Sequence, residues 1–380
     1  MAHPVRSAHS GEVFFPLDNG AVFMASTTER DCPYVFRVSC DLDAPVNLPA
    51  LEKALPLVAE RFPLFLTKLR AGVFWYYLEP LRDSVRPYAD SRFPVEFHRF
   101  SRNWRYLFRV RVYGSRISCE VHHILTDGTG AIEFLRSLVA TYLAETGVVC
   151  EDWEDVRRPG EPVDPAELAD SYVDIPKRPV PLPSPISPAF QIPGPRYRPP
   201  IYRVTTGTMP LDAALHAARE HKGTLTALLV AAHIAALQDI QDASGARKKW
   251  PIRVQVPVNM RKHHPSMSTR NFFLTVHVSI DPRLGHFTFR EILDVVQHQL
   301  KLELTEKELS RQIWRNVRAE GNLFLRAVPL SVKNPVLRVV GRLVADRPFS
   351  GSLSNLQAVS MPEPFAAHIA GFELLPSRKA

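Results

Sequence analysis

The stretch Val121-His122-His123-Ile124-Leu125-Thr126-Asp127-Gly128 makes a strand, a tight turn and a helix meet within a few residues. Before it, Ile117, Cys119 and Val121 alternate with Ser118, Glu120 and His122, the period-two pattern of a half-buried strand. After it, Ile132, Leu135, Val139 and Tyr142 fall on one helical face until Gly147 supplies a stop signal. The strand therefore ends on the histidines. Adjacent strand residues point to opposite faces, so one imidazole is buried and the other presented. That geometry suits zinc poorly, because ligand pairs sit at spacings that share a face and neither a cysteine cluster nor a second carboxylate stands nearby. It suits a single general base, whose reference pKa of about 6.5 lets it accept a proton near neutrality. Asp127 either pairs with that imidazole or ties the turn to an arginine elsewhere.

A chain of 380 residues exceeds the usual single-core size, so two halves are expected. Between Pro159 and Pro200 proline takes over, as in Pro176-Lys177-Arg178-Pro179-Val180-Pro181-Leu182-Pro183, and hydrophobic periodicity disappears. This predicts an extended, semi-rigid crossover, with docking of an SH3-like partner as the alternative. The domain plan is thus 1–158, a linker 159–200, and 201–380. In the first half the patterns predict strands near 34–42, 74–78 and 106–113 and a helix near 48–61. In the second they predict strands near 202–210, 252–258 and 273–280, and helices near 211–221, 225–239 and 290–304. Two α/β subdomains with a site between them fit this order.

The net charge of +8 and pI near 9.4 raise a nucleic-acid partner, but the basic residues are dispersed. Arg109 and Arg111 alternate with Phe108, Val110 and Val112 as on a solvated strand face, and no finger, helix-turn-helix or RNA-binding signature accompanies them. Cys32, Cys40, Cys119 and Cys150 have neither metal spacing nor a dense disulfide pattern, which predicts a reducing, cytoplasmic setting. No secretory signal is evident, and the apolar run 225–237 is too short to span a bilayer.

The segment 122–128 resembles the HHxxxDG motif of the CoA-dependent acyltransferase superfamily, which includes chloramphenicol acetyltransferase-like enzymes, condensation domains and alcohol acetyltransferases. Glu60-Arg61-Phe62-Pro63, Val256-Pro257-Val258-Asn259-Met260-Arg261 with Arg270-Asn271-Phe272-Phe273, and Ser352-Leu353-Ser354-Asn355-Leu356 are similar to further segments of its bacterial alcohol acetyltransferase-like members. The resemblance implies two chloramphenicol acetyltransferase-like α/β subdomains, each a mixed sheet with helices, around an active-site tunnel. It implies His123 as the base that deprotonates an alcohol or amine acceptor attacking an acyl-CoA thioester, with acetyl the expected group and no permanently bound cofactor. Asp127 is carried over beside His123 in the site, in salt-bridge contact with an arginine, for which Arg61 is the first candidate. His122 takes a supporting role, Gly128 lets the backbone turn without a Cβ clash, and Ser354 or Asn355 shapes the oxyanion site or tunnel. The charge suggests an attraction for CoA phosphates, with Arg247-Lys248-Lys249 as the candidate patch and a solvated face as the alternative.

His263-His264 lies beside Arg261, Lys262 and Pro265 in a polar loop and reads as solvated. Phe14, Phe15, Phe23, Trp75 and Tyr76 read as core, with an acceptor pocket as the other possibility. Gln357 departs from the glycine of similar proteins, and the short stretch after it predicts an incomplete C-terminal half. Two other functions stay open: an acyltransferase fed by an acyl carrier protein in lipid or polyketide assembly, and a non-catalytic relative that binds through the same cleft.

Overall fold

The computed structural model describes every residue except 1–4, 7–12, 30–32, 96–105, 174, 176–179, 182–185, 196, 198–200, 246–247, 321–326, 342–346, 357 and 378–380. The order begins β1 (Val5–Arg6), β2 (Val13–Pro16), α1 (Asn19–Thr27), β3 (Val35–Leu42), α2 (Leu48–Arg61), β4 (Thr67–Ala71) and β5 (Tyr76–Pro80). It continues β6 (Tyr88–Ala89), β7 (Phe108–Tyr113), β8 (Arg116–His122) and α3 (Gly128–Glu145). After the crossover come α4 (Leu211–Glu220), α5 (Leu225–Ala243), β9 (Ile252–Asn259), β10 (Phe273–Ile280), α6 (Phe289–Glu303) and α7 (Glu306–Glu320). The chain then forms α8 (Leu330–Gly341), β11 (Gly351–Ser352), α9 (Glu363–Ala366) and β12 (Ile369–Leu375).

The first core grows from the alternation read in β8. Ile117, Cys119 and Val121 pair with Cys40, Val38 and Phe36 of antiparallel β3, and all six side chains are buried. Onto them pack Leu51, Leu55 and Val58 of α2 and Phe134, Leu135 and Leu138 of α3, at the i, i+3, i+4 spacing of a core-facing helix. Phe65 and Phe134 stack with ring centroids 4.2 Å apart. The full sheet runs β12-β3-β8-β7-β6, so β12, from the last part of the chain, closes the flank of the first half's sheet. Beside it stands a second sheet, β1-β2-β5-β4.

The second core forms under the sheet β10-β9-β11, where Val254 and Val256 of β9 and Val276 and Val278 of β10 meet α5 and α6. Thr288 and Glu291 close a reciprocal capping box at the start of α6, which fixes where that helix begins. Tyr172, Ile175 and Phe190 of the proline-rich crossover are buried in this core, so the connector is anchored to it by aromatic and aliphatic side chains. No single helix among the described residues is long and apolar enough to cross a membrane.

Three expectations are corrected. The segment 202–210 makes no strand, because none of its backbone pairs with a neighbour among the described residues. Arg109 and Arg111 are not a solvated face: both donate to Glu120 Oε2, at 2.7 and 3.0 Å, on the neighbouring strand. Arg37 donates to Glu120 Oε1 at 2.7 Å, and these arginines hold the buried Glu120 carboxyl down at about 2 against the opposing effect of burial. Trp75 is more than half exposed at the tip between β4 and β5, rather than packed in the core.

Candidate active site

The ladder of β3 and β8 runs one step past the strand, with His123 N donating to Tyr34 O at 2.8 Å, and Leu125 N then turns back to His122 O. The backbone thereby presents the two imidazoles in different surroundings. His122 is buried, and its Nδ1 accepts from Ile124 N at 3.0 Å. Nδ1 is thus unprotonated, and the proton sits on Nε2, 3.5 Å from Thr28 Oγ1, whose own hydroxyl donates to Met24 O. Burial and the neighbouring His123 push His122 down to about 3. It is a neutral brace for the turn.

His123 lies in contact with Phe36, ring centroids 4.3 Å apart, and Phe273 of the other half stands 5.9 Å away. Its Nδ1 is buried, with the Thr126 backbone and the Asn271 side chain close to the ring, while the residue keeps part of its surface open. Burial pushes the imidazole down to about 4, opposed by the Asp127 carboxylate, so the ring is neutral near pH 7. The backbone behind it is fixed from the second half by Asn271, whose Nδ2 donates to His123 O at 2.7 Å and to Asp18 Oδ2 at 3.0 Å.

Asp127 takes the second of its two expected courses. It caps α3 through Oδ1, which accepts from Gly130 N at 3.0 Å, and its Oδ2 accepts from Arg261 Nη1 at 2.8 Å and Phe272 N at 2.9 Å. Both oxygens are engaged, and neither bonds to His123. Arg61, the first candidate partner, is instead held in a two-pronged bond by Glu167 of the crossover at 2.8 Å on each prong. The planar guanidinium matches the carboxylate edge there, so Arg61 clips the crossover to α2. Arg261 serves Asp127, and its remaining donors reach Ser268 O and Arg270 O.

The first turn of α3 is packed tightly. A Cβ on Gly128 would stand 2.7 Å from Leu356 Cδ2, and one on Gly130 would run into Thr126 Oγ1 and the Thr269 carbonyl. Thr126 Oγ1 also donates to Thr269 O, and Asn259 Nδ2 donates to Thr129 Oγ1 at 3.1 Å. The turn is therefore gripped by the second half on several sides. Ser354 and Asn355 are exposed, and Asn355 Nδ2 reaches Thr226 Oγ1 at the start of α5. Lys249 is paired with Asp242 and Lys248 lies over the Trp250 ring at 4.2 Å, both before β9 and at the opposite end of that strand from Asn259. Arg247 and Gln357 lie outside the described residues.

Sequence patterning did not assign Arg261, Asn271 or Gly130. Arg261 and Asn271 stood in segments already singled out, and Gly130 two residues after Gly128 was the available signal for a crowded helix start.

No family model and no curated protein matches the sequence. Solved structures match in shape. The TRI101 protein of F. sporotrichioides, solved with coenzyme A and T-2, superposes with a TM-score of 0.60 at 13% identity, over 93% of this chain and 88% of its own. The first condensation domain of the CDA synthetase gives 0.55 at 15%, over 100% and 86%. This chain has their fold. Polyketide synthase associated protein 5 from Mycobacterium tuberculosis gives 0.56 at 15%, over 97% and 87%. That shared fold accounts for the two cores and the histidine turn between them.

Proposed function

We propose that the chain is an acyltransferase that moves an acyl group, acetyl first among candidates, from acyl-CoA to a small-molecule alcohol or amine. The observation that carries this is His123, a neutral, partly exposed imidazole at the end of β8 with Phe273 of the second half beside it. Nε2 takes the proton from the acceptor hydroxyl as its oxygen attacks the thioester carbonyl carbon. The tetrahedral adduct collapses by breaking the carbon–sulfur bond, and the thiolate takes the proton back from Nε2. Ester and thiol leave, and the histidine is regenerated without an acyl-enzyme. Asp127 acts as a positioning residue through the turn.

The working division remains 1–158 and 201–380 around the 159–200 crossover, with β12 returned to the first sheet. A cytoplasmic setting agrees with Cys40, Cys119 and Cys150 being free thiols. The test is CoA release from acetyl-CoA and longer acyl-CoAs across a panel of alcohols and amines, with the thiol and the acylated product both identified by mass spectrometry. Acceptor-dependent product supports the proposal. Transfer only from an acylated carrier protein would replace CoA as donor, and absence of transfer from either donor would favour a binding relative.

A further inference from the structure

One helix presents its apolar side to water. In α8, Ser331, Val332, Pro335, Val336, Val339 and Val340 are exposed in pairs four residues apart, so they share one face. Val332, Val336 and Val339 are each more than half exposed. The polar side chains point the other way: Asn334 Nδ2 donates to Tyr76 Oη at 2.7 Å, Lys333 Nζ donates to Phe74 O at 3.0 Å, and Arg338 Nε stands 3.7 Å from Glu29 Oε1. Gly341 closes against α1, where a Cβ added to it would lie 3.4 Å from both Phe23 Cζ and Thr27 Cγ2. A surface helix ordinarily shows the reverse arrangement, with its apolar stripe inward.

The stripe continues into the hairpin tip between β4 and β5. Leu330 N, at the start of α8, donates to Val73 O at 2.8 Å, and Val73 and Trp75 at the tip are both more than half exposed. From Val332 to Val340 the stripe runs about 12 Å, and no charged residue lies on this face of α8. Exposed valines do not help a helix in water, because their β-branched side chains lose rotamer freedom there and gain no burial. An apolar surface of this kind marks a place that a partner or a membrane covers. Charge separates the two. Around the stripe and the tip stand Lys68, Arg70, Lys333 and Arg338 against the carboxylates Glu79 and Glu29, and the whole chain carries +8. A second copy would set the same cations against one another, whereas an anionic bilayer complements them.

We infer that α8 and the tip between β4 and β5 form a docking surface for an anionic lipid bilayer, with the valine face sunk at the edge of the acyl chains and Trp75 at headgroup level. The helix lies in the plane of the surface, where an apolar face of this kind enters by about 5–10 Å. Trp75 suits the boundary because its ring is apolar and its Nε1–H can donate to a headgroup. The surrounding lysines and arginines meet lipid phosphates. This is attachment to one leaflet and not a span, in keeping with a helix of 12 residues. α1, on which α8 rests, leads directly into Thr28, 3.5 Å from His122 Nε2, so the docking surface lies on the α1 side of the histidine turn. The inference stands apart from the acyl-transfer proposal, since lipid binding is read without turnover.

The experiment is flotation of the whole chain with vesicles of phosphatidylcholine and with vesicles of equal parts phosphatidylcholine and phosphatidylglycerol. Wild type, Val336→Asp, Trp75→Phe and Leu284→Asp are compared, with a melting curve for each. Leu284 is 83% exposed in the turn between β10 and α6, so its variant controls for a new charge at an exposed apolar position. The expected result is wild-type binding to the mixed vesicles that weakens with added salt, binding about tenfold weaker in Val336→Asp, and no change in Leu284→Asp. The mixed vesicles should also shift wild-type tryptophan emission to the blue, and Trp75→Phe should lose most of that shift. Trp75→Phe lies outside the helix, so it reads docking even where a charge in α8 disturbs folding. No binding to the mixed vesicles, equal binding to both kinds, undiminished binding of a folded Val336→Asp chain, or an unchanged blue shift in Trp75→Phe would overturn the assignment. So would a wild-type dimer in sedimentation that Val336→Asp dissociates, which would make the face a contact between copies.

Discussion

Asp127 and Arg261 form an ion pair at 2.8 Å that joins the turn after the histidines to the loop after β9, so the placement of His123 is tied to the seating of one half on the other. Both side chains are largely buried. Removing one partner strands a charge, which typically costs about 3–5 kcal/mol. Arg261→Ala is therefore expected to lower stability by about 3 kcal/mol and to reduce turnover more than substrate affinity, as read by denaturant unfolding and by separate kcat and KM values. Arg261→Lys keeps the charge but loses the fork to Ser268 and Arg270, so it should recover only part of the loss.

Arg61 and Glu167 should couple, and Arg61 and Asp127 should not. A double-mutant cycle on the first pair is expected to give an interaction energy above about 1 kcal/mol. The cycle with Asp127 should be additive within about 0.5 kcal/mol. A strong Arg61 to Asp127 coupling would return Arg61 to the role first considered for it.

With His123 held at about 4, its base form is complete well below neutrality. The pH profile of kcat/KM should have no acid limb between pH 6 and 8, a window in which a histidine at its ordinary value of about 6.5 would be titrating. A limb centred near 6.5 would show that the imidazole is not desolvated as the structure has it.

Stability against pH carries opposite signatures from two buried groups. His122 has a folded pKa of about 3, below its unfolded value, so stability falls as pH drops from about 6.5 towards 3, where only the unfolded chain takes the proton. Asp18 is raised to about 6 by burial, against the pull of Arg270, so its contribution runs the other way: stability is lost as pH rises from about 4 to 6. The stability of Asp18→Asn relative to wild type should therefore improve between pH 4 and 6 and then level off, measured by urea unfolding at each pH. A pH-independent difference would contradict the raised Asp18.

Gly130→Ala should be far more damaging than Gly128→Ala. The first places a methyl against a backbone carbonyl, which cannot rotate away, and the second meets the end of the Leu356 side chain, which can. Overpacking of this kind costs about 1–3 kcal/mol, and Gly130→Ala is expected at the upper end by thermal and denaturant unfolding.

The strand into His123, the helix after Gly128, α2, β9 and β10 were legible because their apolar period has no competing interpretation. The location of the second core's helices was legible for the same reason. β12 was not, since the mixed burial of Ile369–Leu375 gives a weak alternation, and nothing local announces that a late strand pairs with β3. The charged face around Glu120 was misread because strand alternation reveals which residues share a face and not what covers them. At the site, the proposed base was visible as a residue type at a strand end. Its support was not, because Arg261 and Asn271 reach Asp127 and His123 across 134 and 148 residues of chain.

The most direct test of the central claim is the rate of acceptor-dependent ester or amide formation from an acyl thioester by the wild type and by His123→Ala, with both proteins shown to be folded by their melting temperatures. Loss of general-base help is expected to lower kcat by about 10²–10⁴-fold while the protein remains folded. A folded His123→Ala chain that transfers the acyl group at the wild-type rate would contradict the account and remove His123 from the chemistry.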